Sequence, residues 1–151
     1  MMEIRVATKN DIDFLMSVRL EMLKVVNNLP EDYEFSDKVI KESRDYFCNG
    51  DHINVIAVDD DMVIGCASMC FFRIMPTFSH PTGKRAHLMN VYTKCEYRRQ
   101  GIARKMVGLL IDETWKRGAT EISLDATKMG RPLYEKLGFY NSTEAMAISR
   151  K

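Results

Sequence analysis

Residues 86–103, AHLMNVYTKCEYRRQGIA, decide how this chain folds. Ala86 to Thr93 is strand-like, and a short polar connection follows it. The connection ends in Arg98-Arg99-Gln100-Gly101-Ile102-Ala103, which opens an amphipathic helix. Ala103, Met106, Val107, Leu110 and Thr114 recur at helical spacing as its inward face, and Gly118 ends it. A strand running through a basic glycine turn into a helix start brings unpaired N–H groups and the helix dipole to one point. A phosphate-bearing ligand is expected there. Two familiar phosphate loops are excluded. GxGxxG needs three glycines and only Gly101 is present, and Gly-Lys-Ser/Thr is absent. Alone, Arg-x-x-Gly-x-Ala is also compatible with a basic turn capped by water.

Upstream, Glu3–Ala7 alternates Ile4 and Val6 against charges and reads as a short first strand. Asn10 can cap a helix whose positive end suits Asp11 and Asp13. Ile12, Leu15, Met16, Met22, Leu23 and Val26 give that helix its apolar face. Arg19 lies on the same face, as a snorkelling side chain, a structural ion pair or a substrate contact. The rarity of buried arginine favours the first two. Residues 27–35, with Pro30 and several acids, are loop. Ser36 caps a second helix with a stripe of Val39, Ile40 and Phe47, stopped by Asn49-Gly50. His52–Val58 and Met62–Phe72 read as a hairpin over Asp59-Asp60-Asp61. No further ligands stand at supporting spacing, so the three aspartates read as a solvated turn and no metal is expected. Arg73–Arg85 is a loop long enough to line or gate a site. Downstream, Glu121–Ala126 is strand-like. Pro132 suits the first turn of a short helix carrying Leu133, Tyr134 and Leu137, with Gly138 as its stop. Thr143–Ile148 reads as a last strand. The order predicts one mixed α/β (α+β) domain over residues 1–151, in which only the later strand–helix–strand part needs a parallel crossover.

The bounds agree. A chain of 151 residues, 46% hydrophobic and 28% charged, has room for one domain with a real core. A net charge of +1 argues for neither nucleic acid nor an anionic membrane as partner. No apolar run approaches the ~18 residues that span a bilayer. The start, MMEIRVATKND, lacks the apolar core of a signal peptide. Cys48, Cys66, Cys70 and Cys95 fit neither a zinc pattern nor a CxxC pair, so reduced thiols in a cytoplasm are the simplest reading.

RRQGIA after a strand resembles the acyl-CoA pyrophosphate loop of the GNAT superfamily of N-acetyltransferases. LYEKLGF, Leu133 to Phe139, resembles the same family's late helix and the strand after it. The resemblance implies the GNAT-like fold, a mixed central sheet flanked by helices, with acetyl-CoA as cosubstrate. The pyrophosphate would then sit on main-chain groups from Arg99, Gln100, Gly101, Ile102, Ala103 and Arg104, with Arg98 among the cofactor-binding residues through its charge. Gly101 would allow close approach of the backbone. Lys94 and Lys105 add positive charge, and Cys95 stands where proline is frequent in relatives. The preceding strand would carry pantetheine through Val91, Tyr92 and Thr93, like an added strand. The Val91 N–H would hold the thioester oxygen. Thr127 stands near a position where relatives often carry a pantetheine-contacting asparagine.

The implied reaction is direct transfer of acetyl to a primary amine in a ternary complex. At a lysine-like pKa of about 10.4, exposing the lone pair near pH 7 costs roughly 4–5 kcal/mol. His87 stands where some relatives have a glutamate base; it reads equally as a strand histidine satisfied by a neighbour. Tyr134 falls where relatives carry a general-acid tyrosine; spacing alone makes it a packed aromatic. The acceptor, a small-molecule or peptide amine, is expected across the first two helices and the Arg73–Arg85 loop. Glu31, Asp32 and Glu34 suit a cationic amine but read equally as solvated charge. A homodimer is one option for the assembly. The alternatives are a non-catalytic CoA-binding regulator of the same fold and a module that binds nucleotide phosphate only.

Overall fold

The computed structural model describes residues 1–142 and 144–150. Among them the chain forms β1 (Met2–Val6), α1 (Ile12–Val26), α2 (Asp37–Asn49), β2 (His52–Asp59), β3 (Met62–Arg73), β4 (Lys84–Thr93), α3 (Ile102–Lys116), β5 (Glu121–Leu124) and α4 (Arg131–Lys136). One sheet holds all five strands in the order β1-β2-β3-β4-β5. The first four pair antiparallel, and β5 joins β4 in parallel across the α3 crossover. The sheet is mixed and flanked by helices, as the sequence predicts.

Alternation along the strands sorts the core into two layers. Met106, Val107 and Leu110 of α3 pack on Val55, Ala67, Met69 and Leu88. Leu15, Val18 and Met22 of α1 pack on Ile56, Cys66 and Tyr92 on the opposite face. Both Met106 and Leu110 are fully buried, so truncation of either to Ala costs about 2–5 kcal/mol.

The start of α1 differs from its predicted form. A 3-10 turn, Lys9–Asp11, precedes it and is capped by Thr8, and the residue at the N-cap of α1 itself is Asp11 rather than Asn10. Asp11 completes a capping box, accepting from the Thr8 N–H at 2.7 Å. It also accepts from the Arg5 guanidinium at 2.8 and 2.9 Å, which ties the helix start to β1.

Five further expectations need correction. β1 begins and ends one residue early, and β4 begins at Lys84, two residues before the strand-like run. β5 stops at Leu124, because no further residue of β4 pairs beyond Leu88. The stripe of α2 is not buried: Val39 and Ile40 are exposed, and Phe47 alone reaches the core. The last strand is absent at Glu144–Ile148, with Thr143 outside the described residues. An all-apolar run such as Ala145–Ile148 needs burial on both faces, and here Met146 and Ile148 are fully exposed.

Candidate active site

The middle of β4 is distorted. Ser68 pairs with Met89 and Cys66 with Tyr92, so Asn90 and Val91 together oppose Ala67. Asn90 takes a left-handed φ of 58°, which asparagine tolerates better than most residues. The bulge coincides with a parting of strands. Arg85 to Leu88 pair with Glu121 to Leu124, and among the described residues Met89 to Thr93 have no strand partner on that side. A notch therefore opens between β4 and β5, edged by the main chain of Val91, Tyr92 and Thr93. Their side chains are engaged elsewhere. Val91 packs with the α3 layer and Tyr92 with the α1 layer. The Thr93 carbonyl already accepts from Arg98 Nε at 3.0 Å.

Past the notch the chain turns into α3 through two left-handed residues, Arg99 at φ 62° and Gly101 at φ 77°. Gly101 is the N-cap, and no side chain caps the helix. The first helical bond runs from the Lys105 N–H to the Gly101 carbonyl. The N–H groups of Ile102, Ala103 and Arg104 precede it and have no intrahelical acceptor. A Cβ on Gly101 would meet nothing within 4 Å, so open space lies above this turn. The charges around it oppose the dipole. The first turn of α3 carries no acid, and Arg104 and Lys105 stand at its positive end. Such an arrangement is stabilised by an anion. Lys94 is withdrawn from the group by its pairing with Glu21 at 3.4 Å. Arg98 lies over the Tyr92 ring, 5.8 Å from its centroid, and braces the turn. Ile102 buries its side chain in the core, leaving only its main chain for a ligand.

The remaining predicted residues are placed as follows. His87 pairs across β4–β5 with Ser123; its Nδ1 is 2.8 Å from the Ser123 hydroxyl and its Nε2 3.7 Å from an Asp125 carboxylate oxygen. Tyr134 on α4 is partly buried against the α3 layer and meets Phe139 edge-on at 5.9 Å. Burial holds its phenol above the ordinary tyrosine pKa. Thr127 is occupied locally: its hydroxyl accepts from the Gly130 N–H at 3.1 Å and its carbonyl from the Arg131 N–H. Cys95 is an exposed free thiol. Glu31, Asp32 and Glu34 are exposed on their loop.

On the α1–α2 side of the sheet lies a cavity of about 320 Å³, lined in part by Arg19, Tyr46, Asn54, Ser68, Met89 and Asn90. Neither the acidic loop nor the Arg73–Arg85 loop contributes to it. Its floor is a directional chain of hydrogen bonds. Arg19 Nη1 donates to Asn90 Oδ1 at 3.2 Å, and Asn90 Nδ2 donates to Ser68 Oγ at 3.1 Å. The Ser68 hydroxyl donates to Asn54 Oδ1 at 2.5 Å, and Asn54 Nδ2 donates to His52 Nδ1 at 2.9 Å. His52 Nε2 in turn lies 2.9 Å from the Tyr46 carbonyl. That order assigns His52 the neutral tautomer with its proton on Nε2. Sequence reasoning missed this chain. Its one signal is Asn54 and Ser68, polar residues set inside otherwise apolar strands.

Comparison with known proteins gives the same architecture. The model of the acetyltransferase (GNAT) family matches residues 20–139. A predicted acetyltransferase from Clostridium acetobutylicum, solved with acetyl-CoA, is 31% identical, with 99% of this chain and 96% of that one covered and a TM-score of 0.87. A GCN5-related N-acetyltransferase from Ralstonia eutropha JMP134 is 22% identical over 99% of both chains, with a TM-score of 0.77. An acetyltransferase from Trypanosoma brucei is 22% identical over 99% of this chain and 100% of that one, at a TM-score of 0.72. No curated protein matches the chain.

Proposed function

This chain belongs to the acetyltransferase (GNAT) family, and from that premise we propose that it moves an acetyl group from acetyl-CoA to a primary amine by direct attack in a ternary complex. The observation that carries the reading is the junction of the β4–β5 notch with the uncapped start of α3. One stretch of backbone offers an unpaired strand edge and, a few residues on, a cluster of free N–H groups below open space. A molecule with two amides at one end and a pyrophosphate at the other fits that pair of features.

In this reading Val91, Tyr92 and Thr93 hold pantetheine by main-chain bonds. Arg99 to Arg104 hold the pyrophosphate, with Arg98 bracing the turn. The Val91 N–H stabilises the thioester oxygen as charge grows on it. The amine nitrogen bonds to the acetyl carbon, and the carbon–sulfur bond breaks. The departing thiolate takes a proton from Tyr134, which burial keeps protonated. His87 takes the proton lost by the amine. Its ring is held by Ser123 and lies on the same sheet face as Met89, two residues along β4, which lines the cavity. Thr127 is left with no more than its hydroxyl's remaining capacity for the cosubstrate.

A screen of amines with acetyl-CoA, following release of free CoA thiol, tests the activity. Turnover of at least one amine class is the expected result. Binding of acetyl-CoA without turnover of any amine contradicts transfer.

A further inference from the structure

Among the described residues, Arg19 is the only charged side chain lining the cavity on the α1–α2 side of the sheet. It is half-buried, and no carboxylate of a described residue lies within ion-pair distance of it. A structural ion pair, one of the two roles favoured from sequence, is therefore not what holds it. Among the described residues its one side-chain hydrogen bond goes from Nη1 to Asn90 Oδ1. A guanidinium carries five N–H donors, so most of its donor capacity is left for whatever fills the cavity.

The guanidinium is also aimed. The chain Asn90–Ser68–Asn54–His52 holds the accepting oxygen of Asn90 in place from behind. Burial without a counter-charge disfavours the cation, and desolvation lowers its pKa accordingly. A site that keeps a half-buried, oriented arginine without a counter-charge is completed by an anion.

We propose that the acceptor amine carries a carboxylate, which docks on the free donors of Arg19. This rests on the acetyl-transfer reading and names its substrate class. A carboxylate fits better than a phosphate, because a single planar fork faces the cavity and, among the described residues, no lysine or second arginine lines it. A polycationic acceptor fits poorly, since no Asp or Glu among the described residues lines the cavity either. The placement suits the reaction: Asn90, which orients Arg19, is the chain neighbour of Val91, the residue assigned to the thioester oxygen. The rest of the wall, with Met89, Phe47 and Tyr46, leaves room for an apolar or aromatic side group.

The test uses matched acceptors with the full-length protein and acetyl-CoA: free amino acids, their carboxamides and the corresponding decarboxylated amines. Rates are compared per unprotonated amine. The expected result is a kcat/KM advantage of roughly 10- to 100-fold for the carboxylate member. In Arg19→Gln the advantage collapses, chiefly through KM. Arg19→Lys keeps an intermediate preference, and it decides the matter if the glutamine variant does not fold. Equal or better turnover of the carboxamides overturns the anchor while leaving acetyl transfer standing. A carboxylate preference that survives in the Arg19 variants overturns it as well. No turnover of any amine removes the transfer reading, and the anchor falls with it.

Discussion

Tyr134 and Asp11 are both shifted in pKa, in opposite directions and for opposite reasons. Burial penalises the phenolate of Tyr134, so its folded pKa lies above the ordinary value and the phenol stays a donor through the neutral range. Tyr134→Phe should lower kcat roughly 100-fold with little change in acetyl-CoA affinity, measured by steady-state kinetics and calorimetry. An unchanged kcat removes it as the acid. Asp11 is held down to about 2 by its bonds from the Arg5 guanidinium, helped by the Thr8 N–H, against the desolvation that opposes them. The folded pKa is below the unfolded one, so this stabilisation is present above about pH 4 and fades as pH falls toward 2. Asp11→Asn should therefore cost about 2 kcal/mol near neutrality, and the gap to the parent should narrow below pH 4 in thermal melts. Such residue-scale features were unevenly legible. Tyr134 and His87 could be picked out through the resemblance of the motifs around them. Arg19 could be noticed but not interpreted, because its meaning depends on a missing carboxylate, which only the packed structure reveals. Asn90 is meaningful through a bulge that no periodicity announces.

At the scale of elements, the start of α3 is the part that binds best on paper and folds least willingly alone. Its dipole faces Arg104 and Lys105, and its cap is a left-handed glycine. A Cβ at Gly101 meets no neighbour, so the main expected cost of Gly101→Val to the fold is the strained φ, about 1–2 kcal/mol. The branched side chain would instead fill the space above the free N–H groups. The variant should fold and should lose at least about tenfold in acetyl-CoA affinity, equivalent to ~1.4 kcal/mol, by calorimetry. Parental affinity in that variant would move the anion site elsewhere. The elements misread from sequence share one cause. The α2 stripe and the run at Ala145–Ile148 have the apolar pattern of packed elements, yet among the described residues Phe47 alone of the stripe is packed on the core, and Val39, Ile40, Met146 and Ile148 stay exposed. Patterning reports a capacity for burial; a partner decides whether burial happens. The α3 helix, by contrast, has both the pattern and the sheet beneath it, and it lies where the sequence puts it.

Across the whole molecule, the sheet separates two jobs. Its β4–β5 notch and the α3 start offer a strand edge and an anion site; its α1–α2 face holds a cavity with one oriented cation. The bulge at Asn90–Val91 belongs to both. The first half was readable because it lies in one continuous stretch, Ala86 to Ala103. The second was not, because its walls come from two helices and three strands, and the overall charge of +1 gives no hint of a lone half-buried cation. Among the described residues no helix is long and apolar enough to cross a membrane. The central claim is that the notch and the helix start together hold acetyl-CoA. Titration calorimetry of the full-length protein with acetyl-CoA, set against ATP and NAD, tests it most directly. The account predicts one site of micromolar or tighter affinity for acetyl-CoA and much weaker binding of the other two. Failure to bind acetyl-CoA at micromolar concentration, or equal binding of ATP, would contradict it.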